Sequence, residues 1–332
     1  MDDDVPVGLP GSTRGTASAG AERAAGASRR VNVQYIDPAM AQRMRKALPR
    51  NAARGDDVAI ADPAALAQRL TDDLRAVSHD GHQWNTNRRA RDGPVSPSRT
   101  ELDAARPAVA RDNVAFEKVE RMQGNVGYLT FRIFAYPYFA RRLHVRRWIL
   151  SPALCGDHRP ARQRRRRPGN GGLPASYLFD ERVRLNDIYT RKSNSIAHSC
   201  ATPGLPGRAF GGRKPLYLLT SPQTFSAAGD FAYALQKTGR AAAVGQASGG
   251  GPPPSRGFRV SAHFMAVVPY AKSVSAITPA NWEGTGVLPD VAVPAAQALD
   301  TAYRLGIERL IATSANADEV AGPRALIAPR AK

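Results

Sequence analysis

The stretch from Leu216 to Val244 constrains the fold more than any other part of the chain. An apolar run (Leu216 to Leu219) leads into a polar turn, and a helix-like pattern begins at Ser226. Ala227, Phe231, Ala234 and Leu235 then share one helical face, and a second apolar run, Ala241 to Val244, follows. Elsewhere Gly127 to Phe134 and Val183 to Tyr189 read as strands, Phe258 to Val260 and Phe264 to Val268 as a strand pair, and Pro294 to Ala312 as a helix. Strands separated by helices imply an α/β core. Within it, Ser226 has two readings. A serine at a helix N-terminus is a good cap. It also stands beside free backbone N–H groups and the positive end of the helix dipole, which suit an attacking oxygen and a developing oxyanion.

Upstream, two helices carry clear start signals. Asp37-Pro38 and Asp62-Pro63 each place an N-cap before proline at the first helical position. Ala39 to Leu48 follows the first, and a stripe of Leu66, Leu70, Leu74 and Val77 follows the second. The chain therefore divides into a disordered tail (1–30), a small helical N-terminal domain (31–85), a polar, proline-bearing linker (86–115), a core (116–316) and a second tail (317–332).

The net charge of +19 suggests an anionic partner, but its distribution is lopsided. Ten Arg and one Asp lie between Arg141 and Pro168, and the extreme is Arg162-Gln163-Arg164-Arg165-Arg166-Arg167. Read functionally this is a nucleic-acid patch, with Trp148 the only aromatic nearby to stack on a base. Cys155 and Cys200 do not suggest a disulfide framework. Cys155, Asp157 and His158 match no standard zinc spacing, so no metal is expected. No apolar stretch has the roughly 18 residues of a membrane span, and Met1 to Arg30 lacks the apolar core of a signal peptide.

The segment TSPQTFSAAGDFAYALQKTGRAAAVGQASGGG, continued by NWEGTGVLPDVAVPAAQALDTAY, resembles the tail-specific (C-terminal processing) serine proteases. Within them it is most similar to the branch holding the tricorn core and the interphotoreceptor retinoid-binding proteins. YIDPAMAQRM, ADPAALAQRLTDDLRAVSHDGH, FEKVERMQGNVGYLTF and SYLFDERVRLNDIY fit the same family in order. The resemblance implies a crotonase-like ββα-spiral protease core with a small helical N-terminal domain. The segment 88–107 is too short for the PDZ module many relatives insert, which points to the branch without one.

By the same resemblance Ser226 is the nucleophile of an acyl-enzyme mechanism, His82 (or else His79) the base, and Glu283, 57 residues after Ser226, the orienting carboxylate. Val244 to Gly251 contains no lysine, so Ser/Lys chemistry is not expected. No cofactor is implied. The partner is a peptide or unfolded protein substrate, with no nucleic acid and no stable membrane insertion; relatives are commonly exported.

Several positions depart from the family. Gly229, with Asp230 beside it, replaces the usual acid after Ser-Ala-Ala, and Gln246 replaces a glutamate. The Asp-Leu-Arg-x-Asn-Gly-Gly-Gly strand and loop, whose backbone helps form the oxyanion hole in relatives, is missing between 141 and 175. Plausible GC-rich codons for Gly156 to Gly172, shifted by one nucleotide, restore that motif, which suggests a compensated frameshift there. A second slip would explain Gln83 to Asn87, where the family's strand pattern is lost. Arginines cannot replace a glycine loop without backbone strain, and Pro160 removes a ladder donor from the strand before it. Weak or absent peptidase activity is therefore expected. The alternatives are a non-catalytic peptide or hydrophobic-ligand binder on the same fold and an Arg-rich nucleic-acid binder.

Overall fold

Leu218 and Leu219 are adjacent in sequence, yet they belong to two different hydrophobic clusters. Successive strand residues face opposite sides of a sheet, so this strand is covered on both faces. The computed structural model describes residues 25–29, 31–53, 60, 62–79, 85–87, 98–113, 116–131, 153–155, 172–204, 209–251, 253–259, 264–278, 280–314 and 317–327. In chain order its elements begin with α1 (Pro38–Ala53), α2 (Pro63–Ser78), β1 (Asn85–Asn87), α3 (Arg99–Arg111), β2 (Phe116–Met122), β3 (Val126–Phe131) and β4 (Ala153–Cys155). They continue through α4 (Gly172–Ala175), β5 (Val183–Arg184), β6 (Asn186–Thr190), β7 (Ser195–Ala197), β8 (Cys200–Ala201) and β9 (Tyr217–Thr220). The last are α5 (Ala227–Lys237), β10 (Ala242–Gly245), β11 (Ser255–Arg259), β12 (Phe264–Pro269), β13 (Ala271–Ser275), β14 (Val291–Ala292), α6 (Ala298–Thr313) and α7 (Ala317–Ile327).

The chain separates into two compact units, one of residues 1–95 with 255–270, the other of 96–254 with 271–332. In the first, the Asp37 carboxylate accepts the N–H groups of Ala39 and Met40, and Asp62 those of Ala64 and Ala65. Both helix starts anticipated from Asp-Pro are thus capped as expected. Leu66, Leu70 and Leu74 pack with Met44 and Leu48 in a cluster that also takes in Ala266 and Val268 of β12. This unit is therefore not purely helical: β11, β12 and β1 form an antiparallel sheet in it. Asn85–Asn87, where the sequence pattern departs from the family, is a strand because ladder pairing needs only extended backbone.

The second unit is built on a six-stranded sheet of order β14-β10-β9-β4-β3-β2. Every neighbouring pair is parallel except the β3–β2 edge. Leu216 and Leu218 share a cluster with Phe231, Ala234 and Leu235 of α5. Leu219 and Val244 pack with Ala298, Ala302 and Ile307 of α6 on the other face. Helix, sheet, helix is the α/β layering expected.

Three stretches differ from the sequence reading. The linker expected over 86–115 contains α3, held by a capping box in which Ser98 Oγ accepts the Glu101 N–H and the Glu101 carboxylate accepts the Ser98 N–H. Pro107, which the sequence reads as a breaker, sits inside the helix. The tail expected from 317 is helical to Ile327, and Leu326 and Ile327 pack against the α6 cluster. Ala153–Cys155, inside the segment read as scrambled, forms the strand between β3 and β9. Pro160, expected to weaken that strand, lies outside the described residues. No helix among the described residues is long and apolar enough to cross a membrane.

Candidate active site

Ser226 stands between the carboxyl end of β9 and the first turn of α5. Open parallel sheets place their sites at this end of the strands. The connecting turn is closed by short polar residues: Thr224 donates its N–H to the Ser221 carbonyl (2.8 Å), and Thr224 Oγ1 accepts the Ser221 N–H (3.1 Å). Ser226 has φ 57° and ψ −118°. An L-residue held at such angles stores on the order of 1–3 kcal/mol and persists only where its surroundings impose it. The imposing contacts are clear. The Ser226 N–H donates to the Gly250 carbonyl (3.0 Å), and its carbonyl accepts the Asp230 N–H (2.9 Å). Its side chain makes no capping hydrogen bond, although Ser226 occupies the N-cap position. The capping reading therefore fails at its central requirement. A strained serine on a sharp strand-to-helix turn, hydroxyl uncommitted, is the geometry that presents a nucleophile at the mouth of a sheet.

Gly249 to Gly251 form the wall beside it. A Cβ on Gly249 would stand 2.3 Å from the Pro222 carbonyl oxygen. One on Gly251 would enter the Phe225 ring, and its φ is +74°. These glycines let two backbone segments meet at the base of the serine turn. Gln246, in place of the family's glutamate, has a use of its own: its Oε1 accepts the Ala295 N–H at 3.3 Å.

Glu283 lies on an exposed turn of the same unit, with its N–H donated to Asn281 Oδ1 (2.9 Å). The preceding residue goes the other way. Trp282 is 1% exposed, and its ring centroid is 4.7 Å from that of Tyr233 on α5. The Glu283 turn and the serine helix are thus brought together through Trp282.

Two acids, Asp230 half-buried and Asp187 buried, were not singled out from sequence as site residues. Asp230 is one turn beyond Ser226, where its carboxylate accepts from Ser273 Oγ (2.7 Å) and Asn186 Nδ2 (3.1 Å). Burial pushes its pKa up, and the two hydrogen bonds only partly offset this. Asp187 accepts from Arg184 and lies 3.0 Å from His198 Nδ1. Burial alone would raise this carboxyl, but the Arg184 and His198 hydrogen bonds outweigh it and hold it below the usual range. Asp187 alternates with Asn186 along β6, so the Asp187–His198 pair faces away from the Asp230 side. The sequence signal for Asp187 is an Asn-Asp dipeptide on a strand, and for Asp230 its place one turn after Ser226.

The remaining expectations fall elsewhere. His82 lies outside the described residues, as do Arg162 to Arg167 and most of 141–175, so the base, the arginine run and the frameshift reading have no structural account. His79 is exposed and ends α2 at φ 55°, its N–H bonded to the Arg75 carbonyl. No group of His, Cys, Asp and Glu among the described residues is arranged to hold a metal ion.

Residues 162–293 match the profile of peptidase family S41. The fold is similar to a lipoprotein from Streptococcus agalactiae (TM-score 0.55, 12% identity, 92% of this chain and 99% of that chain). It is also similar to a candidate peptidase from Parabacteroides merdae ATCC 43184 (TM-score 0.52, 15% identity, 85% and 90%). A third likeness is to the tricorn protease (TM-score 0.52, 12% identity), where 86% of this chain spans 35% of that chain. The sequence similarity to peptidase family S41 is thus carried by residues 162–293, and the likeness to the solved structures is one of fold.

Proposed function

We propose that this protein is a serine endopeptidase of the tail-specific type, acting on peptide or unfolded protein segments through an acyl-enzyme on Ser226. The observation that carries the reading is the backbone of Ser226, strained at φ 57° and ψ −118° on a strand-to-helix turn with its hydroxyl free of capping. The S41 profile over 162–293 supports it independently. In this reading the core is a crotonase-like ββα spiral and His82 takes the proton from Ser226 Oγ as it attacks the substrate carbonyl. Glu283 orients the imidazole and stabilises its charge. The helix N-terminus contributes positive potential where the oxyanion develops. The sequence as read lacks the Asn-Gly-Gly-Gly loop, and losing one oxyanion donor lowers a rate by about 10²–10³. Acylation is therefore expected to be slow.

A fluorophosphonate probe tests this. The expected result is slow labelling that maps to Ser226 and disappears in Ser226→Ala. No labelling of the parent chain under prolonged exposure overturns the enzymatic reading and favours a non-catalytic peptide or hydrophobic-ligand binder in the same cleft.

A further inference from the structure

Gly229 sits inside α5, where glycine is about 1 kcal/mol less favourable than alanine and no positive φ asks for it. The space around it supplies the reason. A Cβ at this position would lie 2.9 Å from Trp282 Nε1 and 3.5 Å from Trp282 Cδ1. The indole occupies the volume that any other side chain would need. Trp282 is held there firmly enough to leave its Nε1 buried with no hydrogen-bond partner, at a cost of about 1–3 kcal/mol for an orphaned donor.

The segment around the indole is stapled to the same helix. Tyr233 Oη donates to the Ala280 carbonyl (3.1 Å) and lies 2.9 Å from Thr278 Oγ1. Gln236 Nε2 donates to the Leu288 carbonyl (2.8 Å). The Val287 N–H donates to Ser248 Oγ (2.7 Å), tying the segment to the glycine wall. Within it, the Trp282 carbonyl accepts the Gly286 N–H (3.0 Å), closing a turn that begins with Glu283. Glu283 therefore leaves from a turn whose base is the buried indole.

We propose that Trp282 is a positioning residue for the peptidase site and that Gly229 is its complementary notch. Together they set the Glu283 turn against the first turn of α5, three residues from Ser226. Glycine at 229, where the family has an acid, leaves room for the indole. The inference rests on the reading of Ser226 as nucleophile and Glu283 as its carboxylate partner.

A double-mutant cycle of Gly229→Ala and Trp282→Phe on the full chain tests it, read by the rate of fluorophosphonate labelling across pH and by Tm. Phenylalanine retains a ring but lacks the Nε1 edge that the new Cβ meets. Gly229→Ala alone is expected to slow labelling about tenfold or more and to move the rate–pH profile in the same direction as Glu283→Gln. The double variant is expected to recover to within about threefold of Trp282→Phe. Parent-like rates and profile in Gly229→Ala, or a double variant no better than Gly229→Ala, overturn the proposal. Should Gly229→Ala fail to fold, recovery of a cooperative melt in the double variant is the rescue, and its absence counts against the notch. A parent chain that never labels sinks the Ser226 reading instead. The notch then stands or falls on whether the two substitutions couple in Tm.

Discussion

Asp230, half-buried, and Asp187, buried, are carboxylates about 40 residues apart in sequence, and their surroundings drive them in opposite directions. Asp230 has a raised folded pKa, so the folded state holds its proton more tightly than the unfolded chain does. Its contribution to stability then falls as pH rises from about 4, the unfolded value, through the raised folded value. Asp230→Asn keeps an oxygen to accept from Ser273 Oγ and Asn186 Nδ2 and removes the desolvated charge. It should melt above the parent at neutral and alkaline pH, with the difference closing toward about pH 4. A Tm difference independent of pH would contradict this. Asp187 is the reverse case. Its lowered pKa stabilises the fold fully above about pH 4, and that contribution is lost as pH falls further. Arg184→Gln removes the charged donor from the buried Asp187 carboxylate and should lower stability at neutral pH. Urea titrations should show that loss shrinking once Asp187 is protonated.

The element that matters most is the turn from β9 into α5, because its strain is stabilised by neighbours distant in sequence. Gly249 contributes through close approach alone, with the Pro222 oxygen in the way of any Cβ. Gly249→Ala should therefore destabilise by about 1–3 kcal/mol, or roughly 2–4 °C per kcal/mol for a unit of this size. It should also slow Ser226 labelling by more than the melt explains, because the Gly249 N–H donates to the Thr224 carbonyl in the serine turn (2.9 Å). A normal Tm with normal labelling would place the glycine wall outside the site. This element also shows what the sequence makes legible. Leu216 to Val244 reveals strand, turn, serine and helix because each is signalled by its own neighbours. The unusual φ of Ser226 is invisible there, since it is imposed by Gly250, 24 residues on. Helix α3 was hidden for a similar reason: Pro107 reads as a breaker, and only the Ser98–Glu101 box reveals the start.

At the scale of the whole molecule, the first unit is made of two chain segments, 1–95 and 255–270, so the chain enters it twice. The consequence is physical. Ala266 and Val268 of β12 are fully buried in the cluster that Leu66, Leu70, Leu74, Met44 and Leu48 build from α1 and α2. Removing residues 1–95 alone would strip that cover and leave β12 with an apolar face and an edge that β1 normally pairs. Such edges invite association. A chain beginning at Ser96 should therefore bind a hydrophobic dye and aggregate, even though its six-stranded sheet is untouched. Replacing Ser255 to Tyr270 with a short glycine-serine linker in that same truncated chain should restore a dye-silent protein with a cooperative melt. If the truncation alone is monodisperse and dye-silent, the hairpin does not depend on the helices, and the two segments are not one folding unit. If the linker version also aggregates, the second unit needs the first for stability, and Ser226 cannot be studied in isolation from it.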